Sequence, residues 1–445
     1  MPHDFPFTPD PAFKFGCGRY RQEEHLLENC AEEVARFGRR PLFVCDATSQ
    51  AIAWEKVSSS LRASGMEPRL LRHDGFCNLD DALARAGEGA LDGIDVVIGC
   101  GGGVVIDFSK CLADIAGAPV VTMPTSSAQC CAFTPIAVCY TREGRYFKTA
   151  LFRREIAAAL IDMTVLSRQP RRLLVAGALD AMAKKIEIEF WTQIDCLNHG
   201  IHGIHGNCGG EDNNQEKLPC IPCVPWLNNT IPLPSLIASS IADLVYEQLD
   251  RDLDQAVADL AKGEPTQVLR ETVFSSIVGA GIVSGISGGK RQTALAHRFY
   301  FFARQRLATL PRPNDPTTKR PNDQTIKRPN DPTTKRPNDQ TIKRPNDPTT
   351  KRPNDQTVQR SLTHGELVAI GLVLQLAYYG RFVEAEALAA RLRGWGLAAS
   401  AAEIGLPHDE AEARACFDFL AATREMKAAG ASALPRLREA VARVF

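Results

Sequence analysis

Two patterns of apolar spacing divide the chain. In the first, short apolar runs alternate with stretches whose apolar residues recur at helical spacing. Ile94, Val96, Val97 and Ile98 form one such run, as expected of a strand buried on both faces. Gly101–Gly103 follow, and Val104–Ala113 then reads as a helix. Pro41–Cys45, Pro119–Met123 and Ala158–Met163 repeat the strand pattern. Glu23–Arg36, Thr48–Ser60 and Asn78–Leu91 repeat the helical one, and Leu61–Arg72 supplies a helix end and a strand. The Pro- and Phe-rich start ends in FGCGRY, which predicts an edge strand and turn. This alternation predicts a parallel, doubly wound sheet. From Arg171 the spacing is helical: Leu173–Trp191, Leu236–Leu260, Val268–Val283, Ala294–Leu307, Glu366–Tyr379, Glu384–Gly394, Asp409–Ala429 and Pro435–Val444. The expected architecture is an α/β domain over residues 1–168 and an all-α domain over 169–445.

Two segments interrupt the helical half. Residues 194–232 are rich in Gly, Asn and Pro and read as a loop insertion. They hold His199, His202, His205, Cys208, Cys220 and Cys223, a spacing capable of binding metal. A loop this polar offers little scaffold for four ligands, so an unstructured insertion is the expectation. The second segment, 312–359, is six octapeptides, RPNDPTTK alternating with RPNDQTIK and closing on RPNDQTVQ. It has no aromatic residue and too little apolar surface to offset ordering, so it is expected to be disordered. Without it, His297 and His364 move from 67 positions apart to 19, a helix–loop–helix separation. Loop-closure cost grows slowly with length, so an insertion there need not break a fold.

Composition narrows the function. Basic and acidic residues balance at 52 each, which gives no reason to expect a nucleic-acid partner. No apolar run approaches the roughly 20 residues of a membrane span, and the N-terminus lacks a basic region followed by an apolar core. Several of the 14 cysteines fall inside predicted elements, as buried thiols in a reducing compartment would. A cytoplasmic location is expected, with no membrane.

Local features suggest chemistry but leave alternatives. A glycine turn before a helix can hold a phosphate against unpaired N–H groups, or can simply be a tight turn. Asp46, at the end of an early strand, could accept from a ribose diol and repel a 2′-phosphate, or cap the next helix. Thr125 and Ser126 follow a strand end, where open α/β sheets bind ligands.

GGGVVIDFSK, MPTSSAQCCAFTP, LLVAGALDAMAK, ALAHRFYF and LTHGELVAIGL resemble, in this order, five blocks of the glycerol dehydrogenase family. That family lies within the iron/zinc alcohol dehydrogenase and dehydroquinate synthase superfamily. QCCAFTPIAVCY is most similar to the hydroxycarboxylate dehydrogenase branch. The resemblance implies a dinucleotide domain, a helical metal-binding domain and a cleft between them. It implies Asp180, His297 and His364 as metal ligands, leaving a fourth position for substrate or water. Iron-type relatives carry a further His four residues after the Asp; here it is Lys184, so zinc is expected rather than iron. For the cofactor, the resemblance implies Gly102, Gly103 and Asp107 at the pyrophosphate turn, Thr125 and Ser126 toward the nicotinamide, and Thr134, Ile136 and Tyr140 as further contacts. It places Asp46 at the adenine ribose, which favours NAD over NADP.

Two positions depart from the family pattern. Cys130 replaces the Asp expected near a polyol substrate, which weakens glycerol as substrate and leaves a pocket more tolerant of a carboxylate. Tyr300 replaces the second His of the A-H-x-x-H block and becomes a candidate for proton transfer. The expectation is an NAD-linked, metal-dependent dehydrogenase of a small alcohol or 2-hydroxy acid, with a small-molecule substrate and copies of itself as partners. A dehydroquinate synthase-like lyase or cyclase and an impaired, non-catalytic homologue are the alternatives.

Overall fold

The computed structural model describes residues 15–198, 233–287, 292–310 and 362–445. The first half runs β1 (Tyr20–Glu23), α1 (Ala31–Ala35), β2 (Pro41–Cys45), α2 (Ala47–Ala63), β3 (Arg69–Arg72), α3 (Leu79–Gly87), β4 (Val96–Gly101), α4 (Gly103–Ala116), β5 (Val120–Pro124), β6 (Ile136–Tyr140), β7 (Tyr146–Leu151), β8 (Ala158–Asp162) and α5 (Met163–Leu166). Six strands form one parallel sheet in the order β1-β8-β5-β4-β2-β3. The central strands are buried at every position. Alternation sends Leu42 and Val44 into the core on one face, and Phe43 and Cys45 into the core on the other. The edge strands β1 and β3 carry Arg21, Arg69 and Arg72, and charged edges resist pairing with other chains. The thiols of Cys30, Cys45, Cys77, Cys100, Cys111 and Cys139 are free and buried in these layers.

The second half runs α6 (Arg171–Asn198), α7 (Leu233–Lys262), α8 (Gln267–Phe274), α9 (Ala280–Ile286), α10 (Leu295–Leu307), α11 (His364–Tyr378), α12 (Phe382–Gly394), α13 (Glu410–Ala421), α14 (Arg424–Ala429) and α15 (Leu434–Val444). A π-helical turn, Ser275–Gly279, joins α8 to α9. The chain divides into two units, 1–308 with 363–445, and 309–362. The sheet and the helices belong to the first unit; in the second, only residues 309, 310 and 362 are described.

Several expectations need correction. Only Ala31–Ala35 of Glu23–Arg36 is helical; His25 takes a positive φ of 56°, and Asp162 Oδ2 captures the Leu27 N–H. The expected helix 409–429 breaks where the Thr423 side chain caps α14. The antiparallel hairpin β6–β7 was not predicted. Gln267–Ile286 is long and apolar enough to cross a membrane, contrary to the reading from composition, but 72% of its apolar window is buried inside the protein. Residues 194–198, expected to begin the loop insertion, continue α6. The histidines and cysteines of 199–232 and the octapeptides of 312–359 lie outside the described residues.

Candidate metal centre and nucleotide edge

Three helices bring Asp180, His297 and His364 together. Asp180 sits in α6, His297 in α10, and His364 opens α11. The Nε2 atoms of His297 and His364 lie 3.3 and 3.2 Å from Asp180 Oδ1. All three candidate ligand atoms fall within 4.8 Å of one another. Oδ1 of Asp180 is buried and has no hydrogen bond of proper geometry. Ligands about 2.1 Å from one tetrahedral ion are about 3.4 Å apart, so the donor set fits a divalent metal. Burial opposes charge on Asp180, but His364 and Lys184 outweigh it and hold the carboxyl well below its ordinary pKa. Burial lowers the pKa of His364, only partly offset by Asp180. Both directions favour the deprotonated ligand forms.

The local sequence explains the convergence. Thr363 and Glu366 cap α11 reciprocally, and Glu366 also pairs with Arg172 of α6 at 3.1 Å. Gly365 permits close approach, since a Cβ there would lie 2.1 Å from the Ala176 carbonyl oxygen of α6. Gln375 locks all three helices: it accepts from Ala296 N–H in α10 and donates to the Ile186 carbonyl in α6.

Sequence reasoning missed Glu187. Fully buried, it accepts from His297 Nδ1 at 2.6 Å and from the N–H groups of Ala294 and His297 at 2.6 and 2.9 Å. A carboxylate on Nδ1 fixes the tautomer that presents an Nε2 lone pair. Burial disfavours the charged imidazole, but Glu187 outweighs it and raises the His297 pKa. Its position, seven residues after Asp180 and therefore two helical turns along the same face, was the available signal.

Tyr300 packs its ring edge-on to His364, with centroids 4.3 Å apart. Its hydroxyl is 2.6 Å from that of Tyr140 in β6. Burial raises the pKa of both phenols. The shared hydrogen bond ties Tyr300, the candidate for proton transfer, to the β6–β7 hairpin. Cys130 lies within electrostatic reach of Lys184 and Asp180; burial raises its thiol pKa. Thr134 is tied to the Cys130 carbonyl.

On the other side, β2 and β4 are neighbours, while the chain leaves β2 for β3 on one flank and returns to β4 on the other. Such a reversal opens a crevice at the carboxyl ends of the strands. Asp46 follows β2, Gly101–Gly103 end β4 and open α4, and Thr125 and Ser126 follow β5. Gly101 takes φ +156°, while Gly102 and Gly103 are half-buried, and no heavy atom lies within 4 Å of a Cβ built on Gly102. The Thr125 N–H donates to the Gly101 carbonyl, joining the two loops. Asp46 does cap α2, through Oδ1 to Ser49; among the described residues, Oδ2 has no partner. Asp107 needs correction: both its oxygens are used internally, by Lys110 Nζ at 2.8 Å and Val138 N–H at 2.9 Å. It anchors the β6–β7 hairpin to α4 and is not available to a pyrophosphate. Ile136 shares that anchor, its carbonyl accepting from Lys110.

Residues 17–162 match the iron-containing alcohol dehydrogenase family. The chain is 26% identical over 258 residues to hydroxycarboxylate dehydrogenase A of Escherichia coli, covering 58% of this chain and 61% of that protein. It is 30% identical over 173 residues to a glycerol dehydrogenase of Thermotoga maritima, covering 39% and 47%. The matches thus span about half to three-fifths of these curated relatives. The solved glycerol dehydrogenase of Schizosaccharomyces pombe superposes with a TM-score of 0.68 at 18% identity, over 99% of this chain and 92% of that one, which establishes a shared fold. The chain is therefore similar over part of its length to glycerol and hydroxycarboxylate dehydrogenases, and residues 17–162 match the iron-containing alcohol dehydrogenase family.

Proposed function

We propose that the chain is a metal-dependent, NAD-linked oxidoreductase that interconverts a small alcohol or 2-hydroxy acid with its ketone or 2-oxo acid. One observation carries the reading: two imidazole Nε2 atoms converge on a buried Asp180 oxygen that has no hydrogen bond of its own. Asp180, His297 and His364 would hold the metal, which when bound polarises a substrate oxygen, while nicotinamide carries the hydride. Glu187 holds His297 in the ligating tautomer, and Tyr300 braces the His364 ring. Gly102, Gly103, Thr125 and Ser126 line the crevice for the dinucleotide, with Asp46 toward its adenine ribose. A carboxylate there supports NAD over NADP. Lys184, in place of a further histidine, supports zinc over iron. The relatives named above are dehydrogenases, which favours hydride transfer over the cyclase alternative.

The test is metal analysis of the purified protein, with NADH oxidation followed against 2-oxo acids and ketones. Bound zinc and turnover of at least one carbonyl are expected, and His297→Ala should lose both. A protein that binds no metal and oxidises no NADH with any of them would refute the proposal.

A further inference from the structure

Lys184 sits one turn after Asp180 on α6 and is 4% exposed. Among the described residues no carboxylate lies within 4 Å of its ammonium. Its hydrogen-bond partner among the described residues is His297 Nε2, at 3.5 Å, the nitrogen proposed above for the metal. With that lone pair engaged, the three N–H donors have no acceptor among the described residues. A buried cation in this condition costs several kcal/mol unless an anion joins it.

The charges around it point the same way. Asp180 and Glu187 each bring one negative charge and Lys184 one positive, all three being almost completely buried. A divalent ion at the triad, with both histidines neutral, leaves this group one positive charge in excess. A neutral polyol does not correct the excess; a monocarboxylate does. Cys130, which feels the Lys184 charge, stands where the glycerol dehydrogenase pattern has an acid, so among the described residues no carboxylate partners Lys184 there.

We propose that Lys184 is the docking point for a substrate carboxylate and selects 2-hydroxy and 2-oxo acids over neutral polyols and ketones. This rests on the dehydrogenase reading above. A 2-oxo acid carries its carboxylate on the carbon beside the reacting carbonyl, and Lys184 stands one helical turn from Asp180, so one small molecule spans both.

The experiment uses the zinc-loaded enzyme with pyruvate and hydroxyacetone, which differ by a carboxylate against a hydroxymethyl group. In Lys184→Met, the ratio of kcat/KM for pyruvate to that for hydroxyacetone should fall about 10- to 100-fold, the range for a hydrogen bond to a charged group. Lys184→Arg should recover part of the preference. Binding gives an independent readout: oxamate should raise the Tm of wild type more than neutral oxamide does, and this difference should vanish in Lys184→Met. A ratio unchanged within about threefold, or oxamide stabilising wild type as much as oxamate, overturns the proposal. If Lys184→Met does not fold, Lys184→Gln and the wild-type ligand comparison decide. A wild type that holds zinc but reduces neither carbonyl counts against the dehydrogenase reading, whereas reduction with an unaltered ratio in the variants counts against Lys184 alone.

Discussion

Replacing Glu187 by Gln is a nearly isosteric change that reverses one hydrogen bond. In the wild type Oε1 accepts from the backbone N–H groups of Ala294 and His297, and Oε2 accepts from His297 Nδ1. The two backbone donors fix the amide oxygen of Gln on the Oε1 side. Its NH2 then faces Nδ1, and two donors would meet. The imidazole escapes by moving its proton to Nε2, which removes the lone pair that ligates. The cost has two parts. Losing a hydrogen bond to a charged acceptor is worth about 1.5–3 kcal/mol, and a perturbed partner behind a metal-bound histidine costs about 10- to 100-fold in metal affinity. These agree, since tenfold is about 1.4 kcal/mol.

The assay is zinc competition against a chromophoric chelator, with thermal melts of the apo and zinc-loaded forms. Glu187→Gln should weaken zinc binding about 10- to 100-fold and shrink the zinc-induced rise in Tm. The apo protein should melt only slightly lower, because both backbone donors keep an acceptor. Zinc affinity within about threefold of wild type would refute the tautomer argument. An apo protein that collapses would show that Glu187 acts chiefly as a structural cap of α10.

Three further outcomes follow from the packing. Gly365→Ala forces a Cβ to within 2.1 Å of a backbone oxygen of α6; overpacking of this kind costs about 1–3 kcal/mol, so the urea midpoint should fall and zinc affinity with it, because His364 is the adjacent residue. Lys110→Met leaves Asp107 buried without its cation and should cost about 3–5 kcal/mol in denaturant titrations, with the doubly substituted Asp107→Asn, Lys110→Met protein recovering part of the loss. His73 is stacked 3.6 Å from Phe108 and bonded to the Phe76 carbonyl; burial lowers its pKa, although Asp74 and Asp81 oppose this. The unfolded chain therefore takes up the proton first, and the His73 contribution should be full above about pH 6.5 and fall below it. His73→Phe should flatten the dependence of Tm on pH between 7.5 and 5.5, and an unchanged slope would refute it.

The alternating half was legible because its strands are buried on both faces and its helices on one, so apolar spacing and element type agree. Prediction failed where local side-chain chemistry overrode spacing. Asp162 pulled Leu27 out of a helix, and Thr423 ended one in a run of good helix formers. The hairpin β6–β7 escaped notice because what fixes it is remote in sequence: the buried Asp107 carboxylate and the Lys110 ammonium, which bond to the backbone of Val138 and Ile136. The same pair accounts for the mistaken assignment of Asp107 to the cofactor.

The metal triad could be named from the sequence only through the resemblance, since a lone Asp and two lone histidines carry no spacing signal across three helices. What the structure adds is the set of groups that make such a triad work. Glu187 and Lys184 lie on the same helix as Asp180, seven and four residues on, and both are buried. Read as a helix surface, α6 presents a candidate ligand, the carboxylate that anchors a second candidate ligand, and a buried cation within two turns. The three functions are therefore coupled. A rotation of α6 that relieves one of them disturbs the other two, and Gly365 and Gln375 are what prevent that rotation. Substrate selectivity and metal affinity should accordingly change together in variants of this helix interface, and Lys184, whose ammonium lies 3.5 Å from His297 Nε2 of α10, belongs to the same interface.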